Sequence, residues 1–235
     1  MKRTLSSALL MMAAAVSSGQ AQHVDVAGGG DYLAGPYSRD SSHSQNPPVI
    51  GLRRKADFIV VPVSFSSDSR DAQIRKREIQ KMLAAALERV NGAGLELVTG
   101  FPKLSPVTKA NYESLPLQWA GREDTGKVDV FVKAPLSDKM AEAEKRIDEF
   151  LKPLPRNGRG TIVKKDGRQL AVRNPEQYRG AIVALIAEDA RRNTEVFGPD
   201  YRASVDGVDK PVLWAQTNET DVFLYLPYSY RIFAK

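Results

Sequence analysis

From residue 56 onward two hydrophobic periods take turns, and that alternation limits the chain to a sheet with helices packed on it. Ala56–Phe65 (ADFIVVPVSF) is β-branched and aromatic, which predicts a strand. Pro62 inside it predicts an edge position or a bulge, because proline cannot donate to a ladder. Ser67–Ser69 offer capping side chains. A helix is expected from there to about Val90, with Ile79, Met82, Leu83, Ala86, Leu87 and Val90 on one stripe and Asn91–Gly92 as its stop. Gly94–Leu104 reads as a second strand, and residues 105–125, broken by Pro106 and Pro116, as a long loop. Lys127–Lys133 (KVDVFVK) alternates, so Val128, Val130 and Val132 should face a core. Ser137 is expected to cap a second helix that packs through Met140, Ala143, Ile147, Phe150 and Leu151 and closes at Pro153 and Pro155.

Thr161–Lys164 and Gln169–Arg173 flank Asp166–Gly167, a hairpin signal. A third helix is expected with Asn174 as N-cap, Pro175 in its first position and Gln177 closing a capping box. Tyr178, Ile182, Leu185 and Ile186 should pack it on the sheet, and Gly198–Pro199 should end it. Strands are expected over 201–206, 211–216 and 221–233. The last (VFLYLPYSYRIF) puts Val222, Leu224, Leu226, Tyr228, Tyr230 and Ile232 on one face and Phe223, Tyr225 and Phe233 on the other. A strand apolar on both faces is typical of a covered, central position; nearer an edge, Tyr225 and Tyr230 would be interface anchors. The expected class is α/β (α+β): a mixed, largely antiparallel sheet packed with three main helices.

Upstream of this pattern lies an export signal. Lys2 and Arg3 precede the apolar run Ala8–Val16, and Gly19 and Ala21 occupy the small-residue positions read by a signal peptidase, so cleavage is expected after Ala21. The run is about half of the ~18 residues that span a bilayer. Residues 22–48, rich in Gly, Ser, Asn and Pro without hydrophobic period, read as a flexible leader. The expected division is 1–21 signal peptide, 22–48 leader and 49–235 folded domain, in a periplasmic protein with no transmembrane segment once cleaved.

The chemistry available is narrow. The chain has no cysteine, and its two histidines, His23 and His43, both lie in the leader. A Ser–His–Asp or Cys–His arrangement therefore cannot be assembled from residues 49–235, nor can a zinc site of His and Cys. Gly28–Gly30 lacks the strand, helix and Gly-Lys-Ser/Thr ending of a phosphate cradle. Glu123–Asp124, Glu188–Asp189 and Asp206 with Asp209 are carboxylate pairs without motif spacing; Arg122 beside the first reads as loop electrostatics. The net charge of +6 comes from interleaved signs, and its densest cluster, Arg70, Arg75, Lys76, Arg77 and Lys81, reads as a solvated helix face. No nucleic-acid partner is expected, and no catalytic, cofactor or metal residue is assigned.

Several segments carry a resemblance: Lys55–Ala56–Asp57 ahead of the first strand, the Ala-rich helix running into NGAGLELVTG, Leu104–Ser105–Pro106, KVDVFVK, LAVRNPEQ, the helix around AEDAR (Ala187–Arg191) ending at Gly198, and the C-terminal strand. Over about residues 49–235 the chain resembles the SIMPL-domain family of bacterial periplasmic and outer-membrane-associated proteins. It departs from the family in an opening strand reduced to Val49–Ile50–Gly51, in the missing Gly-Tyr ahead of Lys127, and in an insertion at Lys164–Gln169. The resemblance implies a non-enzymatic periplasmic protein that builds large ring-like or channel-like oligomers, and it brings no catalytic residues. The partners expected are a second copy of the chain, in a homo-oligomer, or an outer-membrane or envelope protein. The alternative is a periplasmic small-molecule- or divalent-metal-binding protein, or a carboxylate-based enzyme. PPVIGLRRKADFIVV also looks like the leader of a TonB-dependent receptor, whose barrel this chain is too short to build; an accessory to such a receptor is the third expectation.

Overall fold

A computed structural model describes residues 31–33 and 48–235, apart from 102, 123 and 137–138. The signal segment, both histidines, Gly28–Gly30, Glu123 and the Ser137 cap lie outside the described residues. In chain order the elements are β1 (Asp31–Leu33), β2 (Leu52–Lys55), β3 (Phe58–Ser67), α1 (Ala72–Val90), β4 (Glu96–Thr99), β5 (Ser105–Pro106), β6 (Gln118–Trp119) and β7 (Gly126–Pro135). There follow α2 (Met140–Leu151), β8 (Gly160–Lys164), β9 (Gln169–Arg173), α3 (Arg179–Phe197), β10 (Tyr201–Asp206), β11 (Leu213–Gln216), β12 (Asp221–Tyr225) and β13 (Ser229–Ala234). The class is α+β, and every strand pairing among the described residues is antiparallel.

The centre is the ten-residue ladder of β3 on β7, with Val61 opposite Val132, Val63 opposite Val130 and Phe65 opposite Val128. Side chains alternate along a strand, so these residues and Ile59 share one face. On it α1 lays Ile79, Met82, Leu83, Ala86, Leu87 and Val90, and α2 lays Met140, Ala143, Ile147 and Phe150, all buried as the periodicity predicts. The α1 cap is Asp71, whose carboxylate accepts the Gln73 and Ile74 amides at 2.8 Å each. Ser67 and Ser69, expected as caps, are used elsewhere.

Pro62 sits in the middle of this central strand, not at an edge, and of the two expectations it is the bulge that holds, in the strand opposite. The far edge of β3 explains it: β9 pairs with Phe58–Val60 and β8 with Val63–Ser67. Between them, residues 165–168 loop out opposite Val61 and Pro62. The Pro62 carbonyl, which points to that edge, accepts the Lys165 amide at 2.9 Å. An antiparallel residue aims its N–H and C=O the same way, so the missing donor falls in the gap. Asp166–Gly167 therefore makes a bulge in one interrupted strand, with Gly167 at φ +96°, and not the expected hairpin.

The strand order β1-β9-β3-β7-β4-β5 curls until its ends meet: the amide of Leu104, next to β5, donates to the Asp31 carbonyl in β1 at 2.9 Å. Residues 31–33 thus form a strand inside the segment expected to be a flexible leader. The concave face encloses a second cluster of Phe58, Val60, Val98, Leu104 and Ala171, with Phe131 packed on it.

The C-terminal third forms two smaller sheets, β11-β12-β2 and β10-β13. The expected final strand is therefore two strands broken at Pro227, neither of them in the large sheet. Val222, Leu224 and Leu226 reach the main core, whereas the outward residues of β13, Ser229, Arg231 and Phe233, are exposed. A single 3-10 turn, Pro175–Tyr178, precedes α3. Asn174 before it adopts φ 40° and its side chain makes no cap bond, so the capping box is absent. On α3, Ile182 and Ile186 are buried and Tyr178 packs on the core, but Leu185 faces outward and is 42% exposed.

Candidate functional surfaces

Three places gather functional groups. The first is the C-terminal end of β3. Glu78 on α1 accepts the Ser67 hydroxyl at 2.5 Å, the Ser69 hydroxyl at 2.8 Å and the Arg159 amide at 3.3 Å. Gly158 makes room, since any Cβ there would overlap the Glu78 carboxylate. Burial pushes the Glu78 carboxyl up, but the Ser67, Ser69 and Arg159 donors outweigh it and hold it below the ordinary glutamate value. A general base needs a proton affinity matched to its working pH, and this carboxylate is moved the other way. The cluster is built to pin α1, β3 and the approach to β8 together. Asp68 alongside accepts a two-pronged Arg159 contact at 2.7 and 3.0 Å, which lowers its pKa. The Arg75 guanidinium ties the Ser69, Arg70 and Asp124 carbonyls at 2.7, 3.3 and 3.1 Å.

The second is Lys133, buried on the concave face. Its ammonium pairs with Asp31, lies 2.8 Å from Glu96 and stands over the Phe58 ring at 4.3 Å. A buried charge is tolerated when paired and hydrogen-bonded, and here the partner comes from β1. Lys133 thus fastens the closing strand to the sheet.

The third is a groove of about 590 Å3 between α3 and the outer edge of β10. Ala203 and Val205 form its floor, Ala187, Ala190 and Thr194 its wall, and Tyr201 one end. Tyr201 packs on Phe197 at 5.8 Å; Phe197 is 58% and the adjacent Val196 83% exposed. Among the described residues β10 pairs only with β13, on one side. Over β13 the helix closes down: Asn193 donates to the Tyr230 hydroxyl at 2.7 Å, and that hydroxyl donates to Asp189 at 3.3 Å.

The carboxylate pairs do not converge. Glu188 is taken by Arg191 at 2.9 Å and Arg192 at 3.5 Å, while Asp189 turns to Tyr230. Asp124 pairs with Arg122 at 3.5 Å, which also reaches Asp68 at 3.8 Å. Asp206 and Asp209 are exposed. Among the described residues no three His, Cys, Asp or Glu side chains group as metal ligands do, and no helix is long and apolar enough to cross a membrane. Sequence reading passed over Glu78, Lys133 and the groove. Each depends on residues far apart in the chain, and Ala187 and Ala190, two of several small residues along α3, did not by themselves mark the last.

No family model matches the chain, and no curated protein matches it. A solved structure described as a hydrolase from Listeria innocua aligns over 78% of this chain and 94% of its own at 11% identity. Its TM-score is 0.16, at which neither fold nor activity carries over.

Proposed function

We propose that the chain is an exported, SIMPL-like protein of the cell envelope that works by association and not by catalysis, with the outer edge of β10 as its contact. The observation that carries this reading is the groove itself. A two-stranded ribbon is marginal in water on its own, and β10-β13 relies on α3 for one face while its β10 edge stays open over a small-residue trough. An added strand would pair with that edge and lie against Ala187, Ala190 and Thr194, the geometry of strand addition. The occupant proposed is β10 of a second copy, meeting its counterpart about a two-fold axis. The signal pattern of residues 1–21 supports delivery to the periplasm.

Light scattering and native mass spectrometry test the reading. An oligomer is expected at high micromolar concentration, returning to monomer in Ala187→Arg, which fills the trough from an exposed helix position. A strict monomer, or an oligomer indifferent to Ala187→Arg, would contradict it.

A further inference from the structure

We propose a second contact surface, independent of the first: the end of the sheet where β6 meets α1 docks on a bilayer rich in anionic phospholipid. Trp119 pairs with Gly126, so the two share the sheet face that α1 covers. A Cβ at Gly126 would lie 3.2 Å from Leu117 Cδ2 and 3.3 Å from Arg75 Cδ, which places Leu117 and Arg75 at the same spot. Trp119 is nonetheless 67% exposed, Leu117 42%, and Ile74 in the first turn of α1 49%. An indole left in solvent among aliphatic side chains is the type of group that settles at a membrane–water boundary.

Charge selects the partner. Arg70, just ahead of the Asp71 cap, and Lys76, Arg77 and Lys81 on α1 are all exposed and have no carboxylate partner among the described residues. Cations at a helix N-terminus oppose the macrodipole, and α1 has no acidic residue in its first turn. The described carboxylates of this end each have a partner: Asp71 in the cap, Asp68 with Arg159 and Arg122, Asp124 with Arg122, Glu78 with two serines, and Glu113 with the Tyr112 hydroxyl. Counting the described side chains at this end, seven cations (Arg70, Arg75, Lys76, Arg77, Lys81, Arg122, Arg159) stand against five carboxylates (Asp68, Asp71, Glu78, Glu113, Asp124), a positive excess beside an aromatic and aliphatic patch. Basic side chains at an anionic surface and apolar ones at its boundary add to each other.

The experiment is co-sedimentation of the full chain with vesicles of phosphatidylcholine alone or mixed with phosphatidylglycerol, with tryptophan quenching by brominated lipid as a second readout. Binding is expected only to the mixed vesicles, to weaken as salt rises, and to fall about tenfold or more in the pair Lys76→Glu with Arg77→Glu. Quenching is expected in the parent and lost in Trp119→Phe, because the other indole, Trp214, is half-buried elsewhere. The apolar segment Ala8–Val16 is common to every variant, so differences among them report on this surface. Absent vesicle binding, binding unchanged by charge reversal, or quenching that survives Trp119→Phe would each overturn the proposal. Loss of oligomers in Ala187→Arg with vesicle binding intact would separate this surface from the groove at β10.

Discussion

The β3-β7 centre and the α3-β10-β13 layer are built from similar residues, yet they bury them to different degrees. In the first, Ile59, Val63, Phe65 and Val132 are wholly enclosed by two helices. In the second, one helix covers a two-stranded ribbon, and Val196, Phe197, Tyr201 and Phe233 remain in solvent. A strand flanked by strands on both sides has its backbone satisfied within the sheet; β10, which among the described residues pairs only with β13, has a row of donors and acceptors on its other side, the usual template for another chain. The centre therefore holds the fold, and the layer is where the molecule has capacity left for contact.

Substitutions sharpen that contrast. Phe65→Ala should cost about 3–5 kcal/mol, since a buried aromatic ring is lost and a void left, readable as a lower denaturation midpoint without a change in m. Lys133→Ala should cost about 3 kcal/mol by removing the nearest cation from Asp31, which among the described residues keeps only the more distant Arg173 at 3.9 Å, and should speed hydrogen exchange at residues 31–33. Lys133→Met, which keeps the stem over Phe58 but lacks the ammonium, should lose nearly as much; a Met variant as stable as the parent would refute the pairing with β1 as the cause.

Glu78→Gln should cost about 1.5–2 kcal/mol, as hydrogen bonds to a charged acceptor are replaced by neutral ones. Because the folded carboxyl is held below its unfolded value, its contribution is full above the ordinary glutamate range and is lost as pH falls through the folded value. The parent should thus lose more stability on acidification than Glu78→Gln, and parallel pH profiles would refute the assignment. The smallest effect belongs to the layer: Leu185→Ala should stay within about 0.5 kcal/mol, as for other surface positions. A loss comparable to Phe65→Ala would show that its exposure is wrong.

Local periodicity made much of the centre legible. The α1 stripe, the inward valines of β7 and the span of β10 follow directly from spacing. What escaped was set by partners distant in sequence. Asp166–Gly167 has the composition of a hairpin turn, but β3 captures both flanking strands on one edge, and Pro62 opposite leaves the gap that accepts the bulge. Lys133 alternates outward in KVDVFVK, and only the curl of the sheet turns that outward face into an interior. Leu185 fits the helical stripe, yet the sheet beneath α3 is too narrow to cover it. The break at Pro227 was visible in the sequence, where a proline inside an aromatic run was outweighed by the run. The Asn174 cap failed because a 3-10 turn intervenes before α3.

The central claim is that the centre is self-sufficient while the edge of β10 awaits a partner, and hydrogen exchange followed by mass spectrometry at low and high protein concentration tests it most directly. Residues 58–67 and 126–135 should exchange slowly and equally at both concentrations, whereas residues 201–206 and 187–198 should gain protection as concentration rises. Exchange at residues 201–206 that is independent of concentration while the protein oligomerises, or protection gained only elsewhere, would contradict the account.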